Sequence, residues 1–481
     1  MASKLSELVP ELQELLDEEC RAAHIPGASL AVAVGDEMIE LATGVLNLET
    51  GVETTADSLF QIGSITKVYT ATLVMQLVDE GLVDLDAPVR TYVPEFSVAD
   101  ASATETITVR QLLCHTCGFD GDVFDDFGRG EDAIARFVEA LKDRHQVYEP
   151  GRLFSYCNSG YSVLGRLVER VREVPSWHAA LREHIIKPLG LTRTASLPEE
   201  AIMHRVATGH VPDEEKGEDA QRLAPFWHLA FANAPAGSTL CASAADVLRF
   251  VRVHQRGGLA QDGSRVLSEQ SVAAMQQLQI TLPSYEDANP NGWGLGWMLF
   301  DFPHVRLVGH DGGTVGQAAH MRFAPEHDLS FVVLTNGGYP SLPLHAIRAR
   351  LLSRLAGIEV SALPAPPERE VELDRGGFVG RYEAVSGYYD VTEDTEDGGL
   401  RIEAGMLGAL AEQLPDEKPE THRFVGYDAG TLISAEPDHG SYWRIGFAEP
   451  GADGRAPYLV SGLRVALRVA DEGGAQPVAE D

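Results

Sequence analysis

The chain has 481 residues, 44% of them hydrophobic and 23% charged, the balance of a water-soluble globular protein too long for one ordinary domain. Its formal net charge of -34 speaks against nucleic acid and anionic membrane as partners, because both require a basic surface. An acidic, solubilising exterior is expected instead.

In chain order, the first predicted element covers Met1 to Glu19, where Leu5, Leu8, Val9, Leu12, Leu15 and Leu16 recur among acids. This is the pattern of an amphipathic helix; a signal peptide would start basic and continue as an unbroken apolar run. With no stretch apolar enough to span a bilayer, a cytoplasmic protein without membrane partners is expected. Gly27 to Val34 and Met38 to Val45, joined at Gly35-Asp36, read as an antiparallel hairpin. Ile65 to Val78 is apolar on nearly every side and reads as a buried helix that stops at Gly81. Helical patterns follow at Ala133 to Leu141, Tyr161 to Arg172, Ala179 to Ile186 and Ala244 to Arg256, and short strands at Val305 to Val308, Ala318 to Phe323 and Leu329 to Leu334. Strands from both ends with helices between them predict an α/β fold, one antiparallel sheet flanked by helices with a helical insertion. The Pro-rich stretch from Leu363 to Glu370 marks a boundary. Beyond it, runs such as Phe378 to Tyr382, Tyr388 to Val391 and Tyr458 to Val460 predict a small antiparallel β-barrel. The expected organisation is a catalytic domain over 1–363, a linker over 364–370 and a barrel over 371–481.

Three segments carry chemistry. The chain has only 6 Lys against 32 Arg, and one of those lysines, Lys67, follows Ser64 by three residues. That step places the amine one helical turn from the hydroxyl, and a serine becomes nucleophilic only when a neighbouring base can take its proton. At the N-terminus of a helix Ser64 would also meet free N–H groups suited to an oxyanion. The second segment contains Tyr156-Cys157-Asn158; in an extended stretch the phenol and the amide, two residues apart, face the same way. The third, Gly309-His310-Asp311-Gly312-Gly313, reads as a Gly-rich turn that lets a substrate lie against the backbone. Five scattered cysteines fit reduced thiols. Cys114-His115-Thr116-Cys117 lacks the second half that a zinc site needs, so neither a metal nor a cofactor is expected.

S-x-x-K, Y-x-N and H-x-G in this order resemble the serine penicillin-recognising superfamily of class C β-lactamases, D,D-peptidases, D-aminopeptidases and their esterase relatives. The resemblance covers residues 20 to 357 and extends to Leu112 to Gly118, Gly81 to Val89, Pro235-Ala236-Gly237 and Gly294 to Trp297. It implies an enzyme that forms an acyl-enzyme on Ser64. Lys67 and Tyr156 would share the proton traffic, Asn158 would position Lys67 and the substrate amide, and His310 would polarise the Tyr156 hydroxyl. The N–H groups of Ser64 and Gly313 would form the oxyanion hole, with Gly312 beside the substrate. Where β-lactamases and D,D-peptidases usually carry a lysine this chain has His310, mostly neutral near pH 7, which weakens the expectation of β-lactam or cell-wall turnover. The barrel resembles the lipocalin-like module of some relatives, and Arg464 would then reach a peptide carboxylate bidentately.

The expected substrate is a small peptide, amide, ester or thioester. The preferred candidate is a stand-alone penicillin-binding-protein-type thioesterase that releases and cyclises a non-ribosomal peptide delivered as a carrier-protein-bound peptidyl thioester. The alternatives are a D-amino-acid-specific peptidase or carboxylesterase and, from another class, a non-catalytic binding or scaffold relative.

Overall fold

A computed structural model describes residues 5–213, 215–217, 219–282, 290–302, 305–369, 371, 375–395, 399–415, 417–428 and 430–470. Residues 1–4 of the expected amphipathic helix, Glu370 of the expected linker and 471–481 at the end of the expected barrel segment lie outside the described residues.

The main domain is built on nine antiparallel strands. These are β1 (Gly27–Val34), β2 (Glu37–Asn47), β3 (Val52–Glu53), β4 (Ile280–Thr281), β5 (Gly292–Trp293), β6 (Met298–Phe302), β7 (Val305–Thr314), β8 (Gln317–Ala324) and β9 (Leu329–Thr335). Their order across the sheet is β3-β2-β1-β9-β8-β7-β6-β5-β4, so the first hairpin joins the late strands through the β1–β9 pair. Both faces are covered, which is why the central strands are apolar throughout instead of alternating. Leu30, Val32, Phe331 and Val333 meet helices α1 (Val9–Ala22) and α5 (Ser341–Ala356), which supply Leu12, Leu16, Leu351 and Leu352. Ala31, Ala33, Val332 and Leu334 point the other way, into a core shared with α2 (Thr66–Asp79), α3 (Asn158–Arg172) and α4 (Ala244–Gln255). The α2 residues Thr66 to Leu77 are all buried, as a helix that is apolar all round must be. Each of its leucines and valines contributes about 1.5–3 kcal/mol by leaving water.

The element beginning at Ala179 in the sequence reading starts at Trp177 and changes from α-helix to a π-helical turn at Arg182–Ile186. The C-terminal unit is a closed barrel of eight antiparallel strands, β10 (Gly380–Ala384), β11 (Gly387–Glu393), β12 (Leu400–Met406), β13 (Glu420–Asp428), β14 (Thr431–Ser434), β15 (Arg444–Ala448), β16 (Tyr458–Ser461) and β17 (Arg464–Arg468). Its interior is filled by side chains that include Tyr382, Ile402, Phe424, Ile445 and Leu459. Among the described residues no helix is long and apolar enough to cross a membrane.

Candidate active site

Ser64 sits in a tight 3-10 turn, Gly63–Ile65, that runs directly into α2. The sequence reading put it at the mouth of the helix itself; the extra turn arises because Gly63 takes a positive φ of 51°. A side chain at Gly63 would come within 2.6 Å of the Gly313 nitrogen, and one at Gly312 within 2.0 Å of the Ile62 carbonyl oxygen. The glycines are therefore required by the packing of the nucleophile turn against β7. The stretch from His310 to Gly313 is strand and not the expected turn. β6 pairs only with residues 305–309 of β7, and from His310 onward β7 is paired with β8 alone, leaving its other edge to the Ser64 turn.

Lys67, one turn into α2, has no exposed surface. Its Nζ lies 3.0 Å from Ser64 Oγ, 2.6 Å from Asn158 Oδ1 and 2.6 Å from the carbonyl oxygen of Ala236. The Pro235-Ala236-Gly237 segment thus supplies a backbone acceptor to the amine, and Pro235 O accepts from Thr70 Oγ1 at 2.8 Å. Burial holds Lys67 well below the usual lysine range, helped by the positive charge of Arg464 and opposed by Asp122. The amine donates to all three oxygens; once it has lost a proton, the N–H groups to Asn158 and Ala236 can stay in place while its lone pair takes the Ser64 hydroxyl proton, the arrangement a general base needs.

Tyr156 precedes α3, and Asn158 is the first residue of that helix, so the two are not on one extended strand as the spacing suggested. They converge nevertheless because Cys157 caps the helix between them, its Sγ accepting from Gly160 N at 3.2 Å. The Tyr156 ring centroid is 4.7 Å from Lys67 Nζ and 5.0 Å from the Arg464 guanidinium carbon. Burial pushes the phenol up, against the pull of the Ser64 hydroxyl and the Arg464 charge, so Tyr156 is protonated at neutral pH.

His310 is fully buried, and its Nδ1 donates to the Asp311 carbonyl oxygen at 2.6 Å. Burial, with Lys67 nearby, lowers it to about 3, so it is a neutral imidazole whose Nε2 is an acceptor without a partner. Its ring centroid is 6.3 Å from that of Tyr156, with no hydrogen bond between the two side chains, so the direct polarisation expected of His310 is not in place in this arrangement. The next residue, Asp311, points to the opposite face and is gripped by Arg322 at 2.7 and 2.8 Å and by His320 at 2.6 Å. That grip pins the strand that carries His310 and Gly312.

Two residues missed in the sequence complete the site. His115 stacks on Tyr156, with centroids 4.4 Å apart, and its Nδ1 accepts from Cys157 N at 2.9 Å. The Leu112 to Gly118 motif contains it, and its sequence context suggested only an incomplete zinc half-site, not a partner for Tyr156. Asp122 accepts from Asn158 Nδ2 at 2.5 Å and forms an ion pair with Arg464 Nε. No sequence signal marked it. Cys114 and Cys117 are buried and free, and burial lifts Cys114 to about 11.

The barrel sits directly over this centre. Leu463 O accepts from Tyr156 N at 2.8 Å, Val465 N donates to Ser155 Oγ at 3.1 Å, and Arg152 is paired with Glu449 at 2.7 Å. Arg464, expected to reach a substrate carboxylate, commits its Nε to Asp122 and its Nη1 to the Gly462 carbonyl oxygen, so part of its fork is already occupied.

Comparison with known proteins accords with this geometry. The family model described as Beta-lactamase matches residues 8–354. The chain is 43% identical over 375 residues to "Penicillin-binding protein 4" of Amycolatopsis lactamdurans, covering 78% of this chain and 97% of the relative. Among solved structures it is similar to SurE, with a TM-score of 0.74 and 28% identity over 97% of this chain and 100% of that one. The structure of SurE with D-Leu gives a TM-score of 0.72 at 27% identity, covering 96% of this chain and 100% of that one. The D-amino acid amidase of Ochrobactrum anthropi SV3, complexed with L-phenylalanine amide, shares the fold at a TM-score of 0.59 and 23% identity over 73% of this chain and 99% of that one. On the strength of the matched model and the 43% identical relative, the chain belongs to the Beta-lactamase family and is a serine hydrolase of that superfamily.

Proposed function

We propose that the protein is an acyltransferase that takes a peptidyl group onto Ser64 and releases it by attack of the peptide's own amine, a thioesterase that cyclises a non-ribosomal peptide. The observation that carries the acyl-enzyme step is the buried Lys67, held well below the usual lysine range, with its Nζ 3.0 Å from Ser64 Oγ. Lys67 takes the hydroxyl proton as Ser64 attacks the acyl carbonyl. The N–H groups of Ser64 and Gly313 receive the developing oxyanion. Tyr156, protonated and beside Ser64, delivers a proton to the departing thiol, amine or alcohol and regains one from the incoming nucleophile. Asn158 holds Lys67 and offers a contact to the substrate amide, and His310 is an uncharged acceptor at the edge of the site.

Two features favour a peptide whose acyl-enzyme is sheltered. A neutral His310 supplies no fixed charge for a β-lactam carboxylate, and the barrel lies against Tyr156 through Leu463 and Arg464. Similarity to SurE, whose structure was determined with D-Leu, favours a D-configured residue at the acyl position. Delivery as a carrier-protein-bound thioester belongs to the same reading. The second reading, hydrolysis of a D-amino-acid amide or ester, uses the same acyl-enzyme with water as acceptor.

The test is covalent labelling by a fluorophosphonate or a fluorescent penicillin, followed by single-turnover reaction with a peptidyl thioester, a D-amino-acid amide and a simple ester. Ser64→Ala is expected to abolish the adduct and to lower turnover by about 10⁶-fold. A cyclic product from the thioester supports the first reading and a linear acid the second; no adduct in the unaltered protein would favour a non-catalytic binding role.

A further inference from the structure

Asp122 is not part of any of the three catalytic segments, yet it touches two of the groups that matter most. Only 9% of its side chain is exposed. One carboxylate oxygen, Oδ1, accepts from Asn158 Nδ2 at 2.5 Å, and the other, Oδ2, faces Arg464 Nε. Arg464 belongs to the barrel, in the same turn that gives Leu463 O to Tyr156 N and Val465 N to Ser155 Oγ.

We propose that Asp122 is a positioning residue that makes the orientation of the acyl-transfer base depend on the barrel being seated: it locks the Asn158 amide with one oxygen and is itself locked by Arg464 with the other. The inference rests on the reading of Ser64 as nucleophile and Lys67 as its base.

The amide is the pivotal element. Asn158 can present either its oxygen or its NH2 to Lys67, and only the oxygen accepts from an amine whose remaining N–H is spent on Ala236. With Nδ2 bound to the Asp122 carboxylate, the flipped amide would set an oxygen against a carboxylate and an NH2 against N–H donors, two repulsions in place of two bonds. Asp122 therefore selects the productive orientation. Arg464 selects the position of Asp122 in turn, because its guanidinium is held by Gly462 O at 3.0 Å and stacks over the Tyr156 ring.

Charge points the same way. Arg464 lowers the Lys67 pKa and Asp122 raises it, so the two members of the pair act on the amine in opposite directions. The other titratable groups around the amine are Tyr156, Tyr161, His115, His310 and Cys157, all buried. As a stabilising ion pair the Asp122–Arg464 contact is unremarkable, since 41% of the Arg464 side chain is exposed and such pairs contribute little. Its location on the Ser64–Lys67–Asn158 chain is what gives it a role.

The experiment measures the rate of Ser64 labelling by a fluorophosphonate, a probe with no carboxylate for Arg464 to recognise, in the full chain. Asp122→Ala and Arg464→Gln are each expected to lower the maximal labelling rate by about tenfold while leaving the half-saturating probe concentration unchanged. The double variant should be no slower than the slower single one, and Asp122→Glu should recover part of the loss. Unaltered rates in either single variant, or losses that multiply in the double variant, would overturn the inference. Should Asp122→Ala fail to fold, Arg464→Gln on the half-exposed barrel face decides alone: a rate equal to the unaltered protein's refutes the coupling. Absence of labelling in the unaltered protein, or its persistence in Ser64→Ala, would instead defeat the reading of the site.

Discussion

Lys67 on the floor of the active site has no exposed surface, whereas Arg464 on the barrel above it keeps 41% of its side chain in solvent. Both are cations by composition, and the difference in environment gives them opposite chemistry. The floor strips water from an amine and holds it well below the usual lysine range, toward the form that can act as a base. The roof leaves a guanidinium charged and paired with Asp122. The same contrast holds for backbone: the floor is set by glycines that admit no side chain against the Ser64 turn, while the roof is joined by hydrogen bonds, ion pairs and an apolar cluster of Tyr148 with Tyr458 and Val465.

That comparison can be broken or sharpened by substitution. On the floor, Lys67→Met should keep the fold, because the site is already dry, and should lower acylation by about 10³-fold. Stopped-flow labelling measures this, and normal labelling by the variant would remove Lys67 from the role of base. In the unaltered enzyme the base must be neutral, so acylation should fall as pH drops through the depressed Lys67 pKa and hold above it, well short of the usual lysine range.

Deeper in the floor, His254 on α4 is buried and lowered to about 3, bonded to Thr72 Oγ1 at 3.1 Å. An unfolded histidine takes up a proton near 6.5 and this one does not, so the unfolded state binds more protons between those values. Stability is therefore lost as pH falls through that window. At pH 5 the loss is about 2 kcal/mol for such a group. His254→Gln should flatten the decline in urea unfolding between pH 7 and 5; an unchanged slope would assign the acid sensitivity elsewhere.

At the rim of the roof, Arg152→Ala removes an ion pair with Glu449 between two partly exposed side chains and should cost under about 1 kcal/mol, with turnover changed by less than about threefold. A larger loss would mean that barrel docking depends on single rim contacts.

What could be read from sequence divides along the same line. Ser64, Lys67, Tyr156, Asn158 and His310 stood out because each lies in a short segment whose residue types are needed together, and the buried α2 was visible because apolar residues leave it few polar positions. Asp122 and His115 did not, since their importance comes from groups that meet only after the chain has folded: Asn158 and Arg464 for one, the face of Tyr156 for the other. Strand β7 was cut short at Val308 because its later residues, His310 to Gly313, are glycine-rich and favour turns in isolation; pairing with β8 overrides that preference. In the barrel, β13 begins with Glu420-Thr421-His422-Arg423, too polar to announce a strand, and becomes apolar only at Phe424.

The barrel closes on itself, so its sheet has no unpaired border strand, and aromatic and aliphatic side chains pack its interior. It is a finished wall. Loops elsewhere on its surface can drift without unravelling it, which leaves evolution free to recut the entrance for new guests while the machinery beneath goes on making and breaking the same ester.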